Sequence, residues 1–205
     1  MRSMKMKRAA FLLLASGLLA SCTTLPPWKT VPDGQAVVYG QIEGSRRSLA
    51  FIAFANAPGV VAIAVENRFG GFMPRYGMIV DEPARASIHE AIAKYQEWSR
   101  LAVDNQVEIT REISTISLPQ MFRRGDAWEA EGSREVTFVF NSRLGQSDSP
   151  RVTLVMRTRS FFYGMDQVLL NDQQAAELDT HLSTDEINAA YEKAKKKQDT
   201  LDMFK

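Results

Sequence analysis

Residues 81–105, Asp81-Glu-Pro-Ala-Arg-Ala-Ser-Ile-His-Glu-Ala-Ile-Ala-Lys-Tyr-Gln-Glu-Trp-Ser-Arg-Leu-Ala-Val-Asp-Asn105, decide the fold class, because here the apolar period changes to 3.6 residues. Ile88, Ala91, Ile92, Tyr95, Trp98 and Ala102 recur at +3/+4 spacings and form one stripe. Asp81 or Glu82 can cap the first turn, Pro83 suits it, and Glu90 and Lys94 stand at i,i+4 on the opposite side. A long helix over this stretch is therefore expected, its aromatic stripe serving as core against a sheet.

On both sides of that helix the pattern is β. Before it come Ala36–Ile42, Leu49–Ala55 and Val60–Val65, separated by the turn compositions Gly44-Ser-Arg-Arg-Ser48 and Asn56-Ala-Pro-Gly59. The second and third of these are apolar at odd and even positions alike, so both faces must be covered. After it come Val107–Ile113, Val136–Phe140, Val152–Met156 and a short Val168–Leu170, with Gly145-Gln-Ser-Asp-Ser-Pro150 reading as a hairpin loop. Asn171 or Asp172 then caps a helix with Ala175, Leu178 and Leu182 inward. Ser183 to Glu186 opens a further helix with Ile187, Ala190, Tyr191 and Ala194 inward. Strands are grouped rather than alternated with helices. This predicts a single α+β domain with a mainly antiparallel sheet in two meanders, one long central helix and two C-terminal helices.

Composition agrees with a globular chain: 205 residues, 25 Lys+Arg against 24 Asp+Glu, 45% hydrophobic and one cysteine. The balance is uneven along the sequence. Residues 1–21 hold Arg2, Lys5, Lys7 and Arg8 with no acid, then the apolar run Ala9–Ala20. At 1.5 Å per residue that run reaches about 18 Å, short of a hydrocarbon core of roughly 30 Å. It reads as a signal peptide, not a span.

Leu19-Ala20-Ser21-Cys22 resembles the lipobox of bacterial lipoproteins. The resemblance covers only this leader. It implies that residues 1–21 are removed, that Cys22 is the lipidation site and new N-terminus, and that acyl chains such as palmitate hold the protein to a membrane. Thr23 stands where an Asp would imply inner-membrane retention, so the resemblance implies the outer membrane if the cell has two. Residues 22–33 carry three prolines and read as an extended tether, leaving residues 34–205 as the domain.

The domain lacks recognisable catalytic patterns. His89-Glu90-Ala91-Ile92-Ala93 has alanine where a zinc helix needs its second histidine; His89 and His181 read as solvent-flanking, and no metal or cofactor is expected. Gly145-Gln-Ser147-Asp-Ser149 lacks the closing glycine of a nucleophile elbow. No glycine-rich phosphate cradle is present. Glu129 and Glu131 share a strand face and read as solvated, though a hydrolase with an unpaired carboxylate set stays open. Arg124-Gly125-Asp126 is an adhesion-type tripeptide that arises often by chance. The clusters Arg46-Arg47, Arg123-Arg124 and Lys195-Lys196-Lys197 are too short and too plain for nucleic-acid binding, and the lysine run reads as solubilising the last helix.

Two stretches stand out. Phe69-Gly-Gly-Phe72-Met-Pro-Arg75-Tyr76-Gly77 sets large side chains among glycines, and Phe161-Phe-Tyr-Gly164 follows Arg157 and Arg159 on one strand face. Aromatics with arginine favour interfaces, so Phe69, Phe72, Arg75 and Tyr76 are the candidate partner-binding residues. The expectation is a non-enzymatic envelope lipoprotein binding another envelope component. The alternative is a carrier or sensor of a small apolar ligand in a cleft between the Trp98 helix and the sheet.

Overall fold

The computed structural model describes residues 29–44, 47–67, 76–144, 150–160 and 164–204. Its long helix, α1, runs Glu82–Asn105. Asp81 caps it, its Oδ1 accepting from the Ala84 N–H at 3.1 Å, and Pro83 sits in the first turn where an amide donor is not required. Ile88, Ala91, Ile92, Tyr95 and Ala102 are buried along the stripe, with Ser99 beside them. The expected Glu90–Lys94 pair is replaced by a Lys94–Glu97 bridge of 3.0 Å. Gln106 ends the helix in the left-handed region, φ 51°, and its N–H bonds back to the last turn.

The strands are β1 (Thr30–Pro32), β2 (Ala36–Glu43), β3 (Arg47–Phe54), β4 (Val61–Asn67), β5 (Tyr76–Val80), β6 (Ile109–Arg124), β7 (Ala127–Leu144), β8 (Pro150–Ser160) and β9 (Gly164–Leu170). They form one antiparallel sheet in the order β2-β3-β4-β5-β6-β7-β8-β9, with β1 added on β7. The chain is thus an α+β domain, and its two meanders are one: β5 pairs with β4 on one side and β6 on the other. Chain neighbours pair antiparallel, mostly through short connections, with β5 and β6 joined through α1.

β3 is buried at seven successive positions, Ser48–Phe54, which requires a core on each face. The larger core joins Leu49, Phe51, Ile63 and Met78 to α1 and to the two helices after the sheet, α2 (Asp172–His181) and α3 (Thr184–Asp202). The smaller core, on the opposite face, holds Ala50, Ile52, Phe54, Ala62 and Ile79 under Val31, Met121 and Trp128. It closes because the β6–β7 hairpin is longer than its apolar segments indicate, 16 and 18 residues, and its register shifts between Pro119 and Met121. Such an irregularity bends a strand.

The boundary of the domain moves accordingly. Thr30–Pro32, assigned from its prolines to the tether, is a strand: Val31 lies opposite Trp128 and is fully buried, and the Lys29 carbonyl accepts from the Ala130 N–H at 2.8 Å. At a sheet edge Pro32 does not break a central ladder. The domain therefore begins before residue 34.

Both later helices start as the sequence indicates. Asn171 caps α2 in a reciprocal capping box with Gln174, and the Ser183 hydroxyl caps α3 by accepting from the Glu186 N–H. Ile187, Ala190 and Ala194 are buried from α3, while Tyr191 is half-buried.

Candidate functional site

Where α1 ends and β6 begins, the two elements leave a groove open to solvent. Gln106 turns the chain back on itself, so that Val107, Ile109 and Arg111 run beside the last two turns of α1. The Ser142 hydroxyl, donating to the Val107 carbonyl at 2.7 Å, fixes the start of this return. Trp98, Leu101, Ala102 and Asn105 form one wall, Val107, Ile109 and Arg111 the other, and Phe140 the floor. Arg111 and Phe140 are register partners across β6 and β7. The cavity is about 420 Å³, within the range of small-molecule sites.

The floor is held by aromatic contacts. Phe140 meets Trp98 edge-on with centroids 5.8 Å apart, and Tyr95 at 5.9 Å. Tyr95 is itself fixed: its hydroxyl donates to Asp172 Oδ1 at 2.6 Å and the Ser99 hydroxyl donates to the same oxygen at 3.2 Å, joining α1 to the first turn of α2. Burial, and next the bond to Asp172, push the Tyr95 hydroxyl well above the ordinary tyrosine range. The groove rim is unusually apolar for a surface, with Leu101, Val107 and Ile109 exposed by 52%, 42% and 40%.

Two cations border it. The Arg111 guanidinium carbon is 5.2 Å and the Lys94 ammonium 5.4 Å from the Trp98 ring. Lys94 is bridged to Glu97, whereas Arg111 has no carboxylate partner among the described residues. Asn105 donates its side-chain amide to Leu101 and leaves its oxygen free of any described bond. Among the residues that line the groove none carries a thiol, hydroxyl, imidazole or carboxylate.

Of the residues singled out from sequence, Cys22, Phe69, Phe72 and Arg75 lie outside the described residues. Tyr76 opens β5, half-buried, with the Arg134 guanidinium carbon 5.0 Å from its ring. Among the described residues the amide nitrogen of the buried Gln120, on the neighbouring strand, and one terminal nitrogen of Arg134 have no hydrogen-bond partner. Tyr76 is thus placed at the opposite end of the sheet strands from the Trp98 groove, and the two do not form one site.

Both histidines are half-buried, the His89 side chain 36% exposed, and each is also tied into the fold. His89 contacts Asp179 Oδ1 through Nδ1 at 2.6 Å and the Leu182 carbonyl through Nε2 at 3.3 Å, joining α1 to α2. The His181 ring stacks on Phe51 with centroids 4.7 Å apart and lies over Gly40. Glu129 and Glu131 both bind Arg124, at the turn where Gly125 takes φ 58°, so the tripeptide's arginine is engaged within the hairpin. Among the described residues no three His, Cys, Asp or Glu gather in a metal-binding group, and no helix is long and apolar enough to cross a membrane.

Leu101, Asn105, Arg111 and Phe140 escaped the reading of the sequence because a groove wall built from a helix end and two strands depends on their register. One signal was present: Val107, Ile109 and Arg111 alternate onto one strand face immediately after the helix. No protein-family model, curated protein or solved structure matches the chain.

Proposed function

We propose that this chain is a lipid-anchored protein of the cell envelope, attached through acylated Cys22 to the outer membrane where the cell has two. Its domain is a non-enzymatic binder that holds the apolar part of an anionic amphiphile in the Trp98 groove. The ligand has an acyl or aromatic body and a carboxylate or phosphate head. The observation that carries this reading is Arg111, a guanidinium with no carboxylate partner among the described residues, standing over Trp98 at the mouth of an apolar groove. Apolar walls supply non-directional attraction, and the cation selects the sign of the head group.

The test is the content of the purified protein. Organic extracts of the chain prepared from its host should contain an amphiphile in near-stoichiometric amount, identified by mass spectrometry, and the Val107→Trp variant, whose indole would fill the groove, should lose it. Extracts that match in both preparations refute the assignment.

A second reading, docking of another envelope protein at the rim containing Phe69, Phe72, Arg75 and Tyr76, is favoured by the Arg134–Tyr76 stack, since tyrosine and arginine concentrate binding energy. Loss of a crosslinked neighbour in a folded Phe72→Ala, Tyr76→Ala variant would support it, and an unchanged set of neighbours would refute it.

A further inference from the structure

We infer that the C-terminal half of α3 rests on the anionic surface of the membrane that holds the acyl anchor, an inference that depends on the reading of Cys22 as the lipidation site.

The attachment of the chain to the domain lies close to this helix. From Cys22 to Lys29 there are seven residues, which even fully extended reach only about 25 Å. Lys29 is bonded to β7, and five residues on, at most about 18 Å of chain, Gly34 lies against the last turn of α3: a Cβ at Gly34 would stand 3.4 Å from Leu201 Cδ1. The Lys197 ammonium donates to the Ala36 carbonyl at 3.1 Å, fastening α3 to the same corner. An acylated terminus of this length leaves that corner within reach of the headgroups.

The chemistry of the surface suits them. Lys193 and Lys197 are one turn apart on one flank of α3 with Lys196 beside them; Glu192 and Asp199 stand one turn before and after Lys196 at the margin of this flank, and Asp202 turns away from it. Just past the helix, Met203 and Phe204 are 80% and 86% exposed, the largest exposures of any large apolar side chains among the described residues. Lysines beside exposed apolar side chains at a helix end form the pattern of an interfacial contact: the ammonium groups meet lipid phosphates, and the apolar groups enter the acyl boundary. A solubilising lysine run explains the charges but not Met203 and Phe204.

The experiment uses the full acylated chain in vesicles. With Cys22 acylated, a Met203→Cys variant carries a single free thiol for a nitroxide label, and Asp104→Cys, at the far end of α1, provides the control. In vesicles containing phosphatidylglycerol, label 203 should lose accessibility to a water-soluble relaxation agent and gain it to oxygen. The effect should vanish in pure phosphatidylcholine and in a Lys193→Gln, Lys196→Gln background, which keeps the Lys197–Ala36 bond, while label 104 stays in water throughout. Flotation through carbonate on the same samples reads the anchor. An anchored chain whose label 203 is as water-exposed as label 104 overturns this inference and leaves the anchor standing. A chain that does not float refutes the anchor and the inference with it.

Discussion

The Arg111 guanidinium lies 5.2 Å from the centre of the Trp98 ring, and through this contact a β-strand cation closes one side of a groove whose other side is a helix. The pairing leaves the guanidinium edge facing solvent at the groove mouth, since Arg111 is exposed. If Arg111 selects ligand charge, Arg111→Gln should weaken binding of a dansyl-labelled fatty acid about fivefold, on the order of 1 kcal/mol. Binding of the corresponding fatty alcohol should hardly change. Equal losses for both, in fluorescence titrations, would mean that Arg111 only packs.

Tyr95→Phe removes the bond to Asp172 and leaves its oxygen with Ser99 alone. A hydrogen bond to a charged acceptor contributes about 1.5–3 kcal/mol. At roughly 2–4 °C per kcal/mol for a domain of this size, the melting temperature should fall by several degrees. Circular-dichroism melts check this. An unchanged melt would show that α1 and α2 are joined by packing alone.

The same tyrosine governs behaviour in alkali. Burial raises the folded-state pKa of Tyr95 and of Tyr39, whose hydroxyl donates to the His181 carbonyl. The folded state therefore holds protons that the unfolded state releases from about pH 10 upward. Their contribution to stability is complete below that pH and is lost as pH rises above it, by up to about 1.4 kcal/mol per pH unit per group. Urea unfolding between pH 9 and 11 should show the decline, and Tyr95→Phe should flatten it. Parallel declines in both chains would contradict the assignment.

Gly40 is required by a ring and not by backbone conformation. A Cβ there would lie 2.5 Å from His181 Cε1, so Gly40→Ala should cost about 1–3 kcal/mol, the range for overpacking. His181→Ala should relieve most of that penalty. A double-mutant cycle with no coupling would show that the strain is taken up elsewhere.

If, as proposed, acyl chains on Cys22 anchor the protein, Cys22→Ala should shift it from the membrane pellet to the soluble fraction. Pelleting that survives a carbonate wash would contradict acylation at this residue.

How far the sequence leads depends on whether each element states its own environment. α1 does, through its stripe, Asp81 and Pro83, and so do β3 and β4, whose unbroken apolar runs announce two covered faces. β5 does not: Tyr76-Gly-Met-Ile-Val80 is five residues placed after a glycine-rich stretch. β6 is read only as far as Ile113 because Ser114–Ser117 holds a single apolar residue and Pro119 follows, and β7 only over Val136–Phe140 because Glu129–Glu135 holds only Ala130 as an apolar side chain. β1 is hidden by Pro32, which an edge tolerates and a rule against prolines does not. The cleft beside the Trp98 helix was foreseeable from that helix's position after a meander. Its chemistry was not, because Trp98, Arg111 and Phe140 come from three elements and meet only through the register of β6 on β7.

The most direct measurement is a titration of the full chain and its Val107→Trp variant with the dansyl-labelled fatty acid, followed by fluorescence. The account requires saturable binding at one site per chain, lost when the indole fills the groove. Binding that is absent from the unmodified sequence, or that persists unchanged in Val107→Trp, would contradict it.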